Sequence, residues 1–272
     1  MTSPAMTEDP GVRASMSAAR WRSIRTWSIW VAVFGAIAWC AFDLGLSMDQ
    51  FGTGLHKLGG FLSAMWPPSD GGQLPRIVDA LVQTFAMAFA GTVIGAAVAA
   101  PLGILGARTV VSNPVIHFLL RRLFDIFRGV PALVWALILI AAFGLGPLAG
   151  VIALALEDAP RFAKLFGESI ENADSRPREA VKAAGGSTLA GIRFGLLPQT
   201  IPIWASQCLY FLERNFRSAA ILGIVGAGGI GFELSERIRI FAFDEVLFIT
   251  GLYMICVAVL DFASGELRKR LQ

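Results

Sequence analysis

The sequence is short of charge. Asp, Glu, Lys and Arg make up only 16% of its 272 residues, against 55% of hydrophobic types, and the mean hydropathy is +0.64. A soluble domain of this length needs more charge to cover its surface, so the composition excludes that class and leaves the bilayer as solvent. Cysteine is nearly absent too. Cys40, Cys208 and Cys256 lie far apart inside apolar runs, which leaves neither a disulfide framework nor the paired spacing of a zinc site. The two histidines, His56 and His117, have no ligand-spaced companion, so no metal is expected. No G-x-x-x-x-G-K-[ST] stretch occurs, and without that phosphate-cradling loop the chain does not itself grip ATP. No catalytic residue is expected: there is no Ser-His pair or carboxylate-rich metal motif to support an intramembrane enzyme. A formal charge of +3 read by itself would mislead towards nucleic acid; its placement along the chain matters more than its size, and no nucleic-acid partner is expected.

What is there is a series of apolar runs. Residues 1–23, rich in Ser, Thr, Ala and Pro at their start, are expected to be a disordered or loosely attached cytoplasmic N-terminus. Residues 24–272 then form a transmembrane domain with its core in 78–265. Trp27–Leu46 carries a single charge, Asp43, and is long enough to cross a hydrocarbon core of about 30 Å at about 1.5 Å per residue. The arginines before it also suit a cleaved signal peptide, but no small-x-small site follows, so an anchored helix is expected. Val78–Ala107 is uncharged after Asp79 and rich in Gly and Ala, with Gly91 and Gly95 offering a close-packing face. Val130–Phe143, Leu148–Phe166, Thr200–Val225 and Val246–Phe262 complete an all-α polytopic membrane protein of about six transmembrane helices.

Positive charge orients these runs. With the N-terminus in the cytoplasm, fifteen Lys and Arg fall in inside segments (within 13–25, 108–128, 176–193 and 268–270) and four outside, Lys57, Arg76, Arg237 and Arg239. That asymmetry places both termini in the cytoplasm, together with a polar loop at 167–198.

Within that loop, Ser175–Gln199 reads SRPREAVKAAGGSTLAGIRFGLLPQ. Pro177 suits a first helical turn capped by Ser175 or Arg176, and Gly185 and Gly186 end a helix over Arg178–Ala184. Ser187 or Thr188 caps a second helix, Leu189–Leu197, which Pro198 stops before the next span. An ordinary solvated loop and a docking hairpin both fit this pattern. Glu179-Ala180-Val181, with Gly185 six residues after the glutamate and Leu197-Pro198 eighteen and nineteen after it, resembles the EAA loop of ABC importer permeases; Val181 replaces that motif's second alanine. Arg128–Pro131 (RGVP) resembles the opening of the third helix in methionine- and phosphonate-type permeases. Phe211–Gly231 and the ending LDFASGELRKRL are similar to the phosphonate importers in particular, and the likeness runs from about Ala80 to the C-terminus.

The resemblance implies a type I ABC importer permease fold in a bacterial plasma membrane. Arg178, Glu179, Ala180, Ala183, Gly185, Gly186, Leu197 and Pro198 would couple it to a cytoplasmic ABC ATPase, and ATP and Mg would be held there and not by this chain. The chain shows no internal repeat while an ATPase pair offers two docking clefts, so a homodimer with a second copy of itself is expected. An extracytoplasmic phosphonate-binding protein would deliver the solute. Another solute such as methionine, and a passive channel, are the rival readings.

Charges within the spans cost about 2.5–3.5 kcal/mol each on insertion scales. Glu157 with Arg161, and Glu213 with Arg217, are i,i+4 pairs with the acid first, the favourable order. On the fourth span, where Asp158 and Lys164 join them, mutual neutralisation is expected. Arg214 has no acid at 210 or 218, and a free guanidinium fork beside Asn215 suits a phosphorus oxyanion. Glu213, Arg214, Asn215 and Arg217 are therefore the candidate substrate pathway. The stretch 226–231, with Gly226, Gly228, Gly229 and Gly231, satisfies the G-x-G-x-x-G of a dinucleotide site through Gly226, Gly228 and Gly231, but too little chain follows for a second strand. They read better as a gate or as irregular backbone at a helix end lining a cavity.

Overall fold

In lipid every backbone N–H and C=O must be satisfied within its own segment, so apolar runs of this length become helices. The computed structural model describes residues 10–45, 48–111 and 113–271, and among them there is no strand. The helices are α1 (Pro10–Asp43), α2 (Met48–Ala64), α3 (Leu74–Gly106), α4 (Pro114–Arg128), α5 (Ala132–Phe143), α6 (Pro147–Glu171), α7 (Arg176–Ala183), α8 (Thr188–Ala190), α9 (Leu197–Leu222), α10 (Gly229–Arg239) and α11 (Phe243–Leu271); wide π-turns at Gly191–Leu196 and Gly223–Ala227 flank α9. Residues 1–9 lie outside the described residues, and from Pro10 the N-terminal segment is helical and continuous with the first span.

The chain divides into two units between Ser63 and Ala64. In the first, no residue of Thr26–Asp43 is buried by protein, as suits a helix whose solvent is lipid. Helix α2 carries Asp49, His56 and Lys57 within 17 residues and is shorter than a typical membrane crossing of about 20 residues.

The second unit is built on α3 and α6, its most extensive helix pair. A Cβ on Gly91 would lie 2.8 Å from Leu154 Cβ, one on Gly95 3.3 Å from Asp158 Cβ, and one on Gly103 2.8 Å from Phe166 Cβ. These contacts advance by four and then eight residues on both helices, so α3 and α6 run parallel with backbones in close approach. Around this pair Ile77, Met87, Leu154, Phe216 and Ile249 form one core cluster, and Phe124, Phe162, Phe166 and Phe211 a second. A tilted ring contact joins Phe162 to Phe211 (centroids 4.3 Å apart), and Phe166 stacks on Trp204 (4.4 Å).

Among the described residues three helices are long and apolar enough to cross a membrane: α1 over Thr26–Asp43, α3 and α11. The bent pairs α4/α5 (79°) and α8–α9/α10 (56°) bring the total to five if each counts as one span. The run expected as a fourth crossing is α6, of 25 residues. Its central charges take it out of the apolar class, although at about 1.5 Å per residue it has the length to span.

Gly103→Val should overpack the α3/α6 seam at a cost of about 1–3 kcal/mol. The expected outcome is a lower melting temperature and loss of the monodisperse peak in detergent size-exclusion chromatography. Gly59→Val, where nothing lies within 4 Å of an added Cβ, should leave both unchanged.

Candidate functional site

The polar hairpin is held at both turns by short-range hydrogen bonds, although Ser175, expected as a cap, makes no side-chain cap bond at the start of α7. Asp174 Oδ1 accepts from Arg176 N (3.0 Å), and Ser175 Oγ donates to Glu179 Oε1 (2.8 Å) at the start of α7. At its end Gly185 N donates to Lys182 O (3.0 Å) and Gly186 N to Val181 O (2.9 Å), the paired 5→2 and 6→1 bonds of a Schellman closure. Gly185 takes φ +86°, a conformation that opposes any side chain. Gly186 has a different reason: a Cβ there would sit 2.7 Å from Val181 Cγ1. Ser187 Oγ then accepts from Ala190 N (3.2 Å) and caps α8.

Pro198 does not stop this second helix. The chain runs on through the π-turn Gly191–Leu196 into α9, with Pro198 in the first turn of α9. The widened turn shifts the hydrogen-bond register, and a proline near a helix start lacks only an N–H that would be unpaired anyway. Helix α7 lies across this turn so closely that a Cβ on Gly195 would be 2.7 Å from Arg178 Cα, and one on Gly191 3.2 Å from Arg178 Cγ. Arg178 Nη1 donates to Thr109 O (2.7 Å), which makes this residue a strut to the end of α3. Gln199 Nε2 donates to Gly195 O (2.6 Å) and Asp174 O (3.2 Å), while its Oε1 accepts from Asp174 N (3.2 Å). Glu171 Oε1 accepts from Arg108 N (2.8 Å). Leu197 packs beside Ile170, Ile192 and Leu196. Glu179, Ala180, Ala183 and Pro198 are exposed, and Leu189 and Phe194 project at 77% and 64% exposure. Gly191, Gly195 and Gln199 escaped the sequence reading, because only the fold shows that α7 folds back onto the turn.

The second constellation lies in mid-bundle, and it corrects the expectation of a free arginine fork. Arg214 Nη2 is 2.6 Å from Asp158 Oδ1 and 3.6 Å from Glu157 Oε1, and its guanidinium lies 4.7 Å from the Phe211 ring centroid. Its acid comes from another helix, a pairing that i,i+4 arithmetic cannot find. Asn215, fully buried, donates to Asp158 Oδ2 (2.5 Å) and Thr92 Oγ1 (2.9 Å). Thr92 Oγ1 in turn donates to Ala88 O (2.7 Å). Glu157 Oε1 pairs with Arg161, and its Oε2 accepts from Ala132 N (2.9 Å) at the start of α5. Glu213, also buried, takes Arg217 at 2.7 Å and Arg268 of α11 at 3.5 Å. The four expected pathway residues thus divide: Arg214 and Arg217 keep exposed surface, whereas Glu213 and Asn215 tie helices together.

The glycine-rich stretch is a break between α9 and α10. Gly226, Gly228 and Gly229 have φ of +111°, +86° and +69°. Gly231 lies inside α10, where an added Cβ would meet the Ala220 carbonyl carbon at 2.9 Å. The N–H groups freed at the break are taken up by α3: Gly229 N donates to Gln83 Oε1 (2.6 Å) and Ile230 N to Thr84 Oγ1 (2.8 Å). Beyond the break buried Arg237 joins Glu233 (2.5 Å), Glu245 (3.1 Å) and Gln73 (2.5 Å), which fastens α10 to the starts of α3 and α11.

Arg214→Met should cost about 3–5 kcal/mol, because it strands the buried Asp158 carboxylate. The double variant Asp158→Asn/Arg214→Met, which removes both charges, should recover much of the loss. Thermal melting of the detergent-purified chain reads both effects, and a single variant as stable as wild type would contradict the pairing.

Comparison with known proteins identifies the fold and the family. Residues 99–272 match the family described as binding-protein-dependent transport system inner membrane component. The phosphite transport system permease protein PtxC of Stutzerimonas stutzeri is 34% identical over 253 residues, covering 93% of this chain and 90% of that protein. The phosphate-import permease protein PhnE of Mycolicibacterium smegmatis is 37% identical over 212 residues, 78% of this chain and 40% of that protein. The MetNI methionine ABC transporter in an inward-facing conformation has the same fold, with a TM-score of 0.66 at 21% identity over 75% of this chain and 99% of that chain. The matched residues take in the hairpin, the charge network and the glycine break together, and the chain belongs to the inner membrane components of binding-protein-dependent transport systems.

Proposed function

We propose that the chain is the permease subunit of an ABC importer that moves a phosphonate or a related phosphorus oxyanion into the cytoplasm. The observation that carries this reading is the near end-to-end similarity to a phosphite permease. In this reading two copies of the chain surround the route, two copies of a cytoplasmic ABC ATPase hold ATP and Mg, and an extracytoplasmic binding protein delivers the solute. Both termini and the hairpin face the cytoplasm, as the positive-charge asymmetry requires.

The hairpin suits a docking role because its face is exposed while its base is locked. Glu179, Ala180 and Ala183 of α7, with Leu189 and Phe194 beyond the bend, present the docking surface. Arg178, Gln199 and Glu171 fasten the base to the ends of α3, α6 and α9. A displacement imposed by the ATPase is therefore delivered to three helices of the bundle at once. Along the route, Arg214 and Arg217 are the groups that meet the oxyanion. Each is already balanced by a carboxylate, which keeps affinity low enough for the solute to leave.

Uptake by cells that depend on this importer tests the reading. Radiolabelled phosphite or methylphosphonate should accumulate and excess methionine should not compete; accumulation of methionine instead would overturn the substrate class. Glu179→Lys and Gly185→Leu should each reduce uptake at least tenfold while membrane insertion stays normal, because the first reverses charge on the docking face and the second opposes the left-handed bend. For orientation, Cys40, Cys208 and Cys256 are replaced and single cysteines are placed at Ser69 and Thr188. An impermeant maleimide added to intact cells should label position 69 only.

A further inference from the structure

A cleft of about 690 Å³ opens where α3 ends and α4 begins, away from both the hairpin face and the buried network, with Arg108, Asn113, His117, Phe118, Arg121 and Arg122 in its wall. Its arrangement is built rather than incidental. His117, buried, has its Nδ1 2.8 Å from Gly106 O and its Nε2 3.0 Å from Arg108 Nε. Because Arg108 can only donate, His117 Nε2 accepts and Nδ1–H donates, so the neutral imidazole orients the arginine without repelling it. The terminal amino groups of Arg108 face no carboxylate among the described residues. Arg121 is shared with Glu171 at 3.3 Å, and Arg122 is only loosely matched, 3.9 Å from Asp125 and 5.3 Å from the Phe118 ring centroid. The start of α4, capped by Asn113 through Val115 N at 3.0 Å, adds the positive end of a 15-residue helix to the same wall.

Beside the cleft, α4 turns an apolar face outward: Val115, Phe118, Leu119 and Ile126 are all exposed. A helix with basic residues on one side and uncovered Leu, Ile and Phe on the other lies along a membrane interface. An anion that brings its own hydrocarbon would satisfy both surfaces at once.

We propose that this cleft is a binding site for a phosphate group, with Arg108 and Arg122 as its principal donors. An anionic phospholipid headgroup with its acyl chains against α4 and a free phosphorus oxyanion share that chemistry. The lipid source rests on the cytoplasmic placement of residues 108–128 proposed above, where anionic headgroups meet basic segments. The site goes beyond the transport reading, and its test measures binding, so a failure here leaves uptake untouched and the reverse holds too.

The full chain is purified in detergent. Retention of phosphatidylglycerol against phosphatidylcholine is read by native mass spectrometry, and thermal stabilisation by inorganic phosphate is read against chloride at equal ionic strength. Wild type should retain phosphatidylglycerol in preference, and Arg108→Gln and Arg122→Gln should each weaken retention about fivefold. Asp125→Asn, which removes the acid from the cleft wall, should strengthen it. Arg122 is exposed and makes no close bond, so its variant keeps the test valid if Arg108→Gln disturbs His117. If the same variants instead abolish a stabilisation specific to inorganic phosphate, the site stands with a free oxyanion as its occupant. Equal behaviour of wild type and all three variants toward both ligands, or no preference by wild type for either, overturns the proposal.

Discussion

The bundle depends on one buried carboxylate. Asp158 has no exposed surface, and it takes Arg214 and Asn215 from α9 while its neighbour Glu157 takes Arg161 and the first N–H of α5. Asn215 carries the connection on to Thr92 of α3. Four helices therefore meet around two acids in a region where an unpaired charge is costly and a satisfied one sets register. The close approach of Gly95 to Asp158 Cβ, 3.3 Å for an added carbon, shows that the small residues of α3 and the acid of α6 belong to one arrangement. Moving α9 along α6 would break three polar bonds at once, so this layer resists sliding and favours discrete positions of the helices.

The two ends of the bundle are held by the same means in different chemistry. At one end Arg237, nearly buried, gathers Glu233, Glu245 and Gln73, with Arg76 bridging to Glu233 and Glu236. At the other, the hairpin is bound by backbone carbonyls: Thr109 O to Arg178, and Gly195 O and Asp174 O to Gln199. At the first end the planar fork of Arg237 reaches several acceptors without losing charge, whereas Arg178 reaches the single carbonyl of Thr109. A hairpin clasped through helix-end carbonyls moves with the helices that own them.

Much of this was legible in the chain itself. The apolar runs and the helix-breaking Gly185-Gly186 pair rest on local periodicity and steric rules that act within a few residues, whereas the Glu179 to Pro198 spacing was read through its resemblance to the EAA loop. The partners of Arg214 were not legible, because α6 and α9 are brought together by packing over more than fifty residues of intervening chain. Pro198 was misjudged for a related reason: a π-turn that absorbs a proline is stabilised by Gln199 and by α7 lying across it, and neither is visible in a window of local sequence.

Composition and periodicity alone therefore determined that the chain is helical and membrane-embedded and which stretch of it is the polar loop. Those properties follow from transfer free energies and backbone sterics, which are nearly additive along the sequence. Only the tertiary structure decided which buried charges are neutralised and which keep a free face. It also decided which glycines serve conformation, such as Gly185 and Gly226, and which serve helix contact, such as Gly103 and Gly195. The reason is that an electrostatic pair or a steric contact between helices is a property of two surfaces, and neither surface carries the identity of the other.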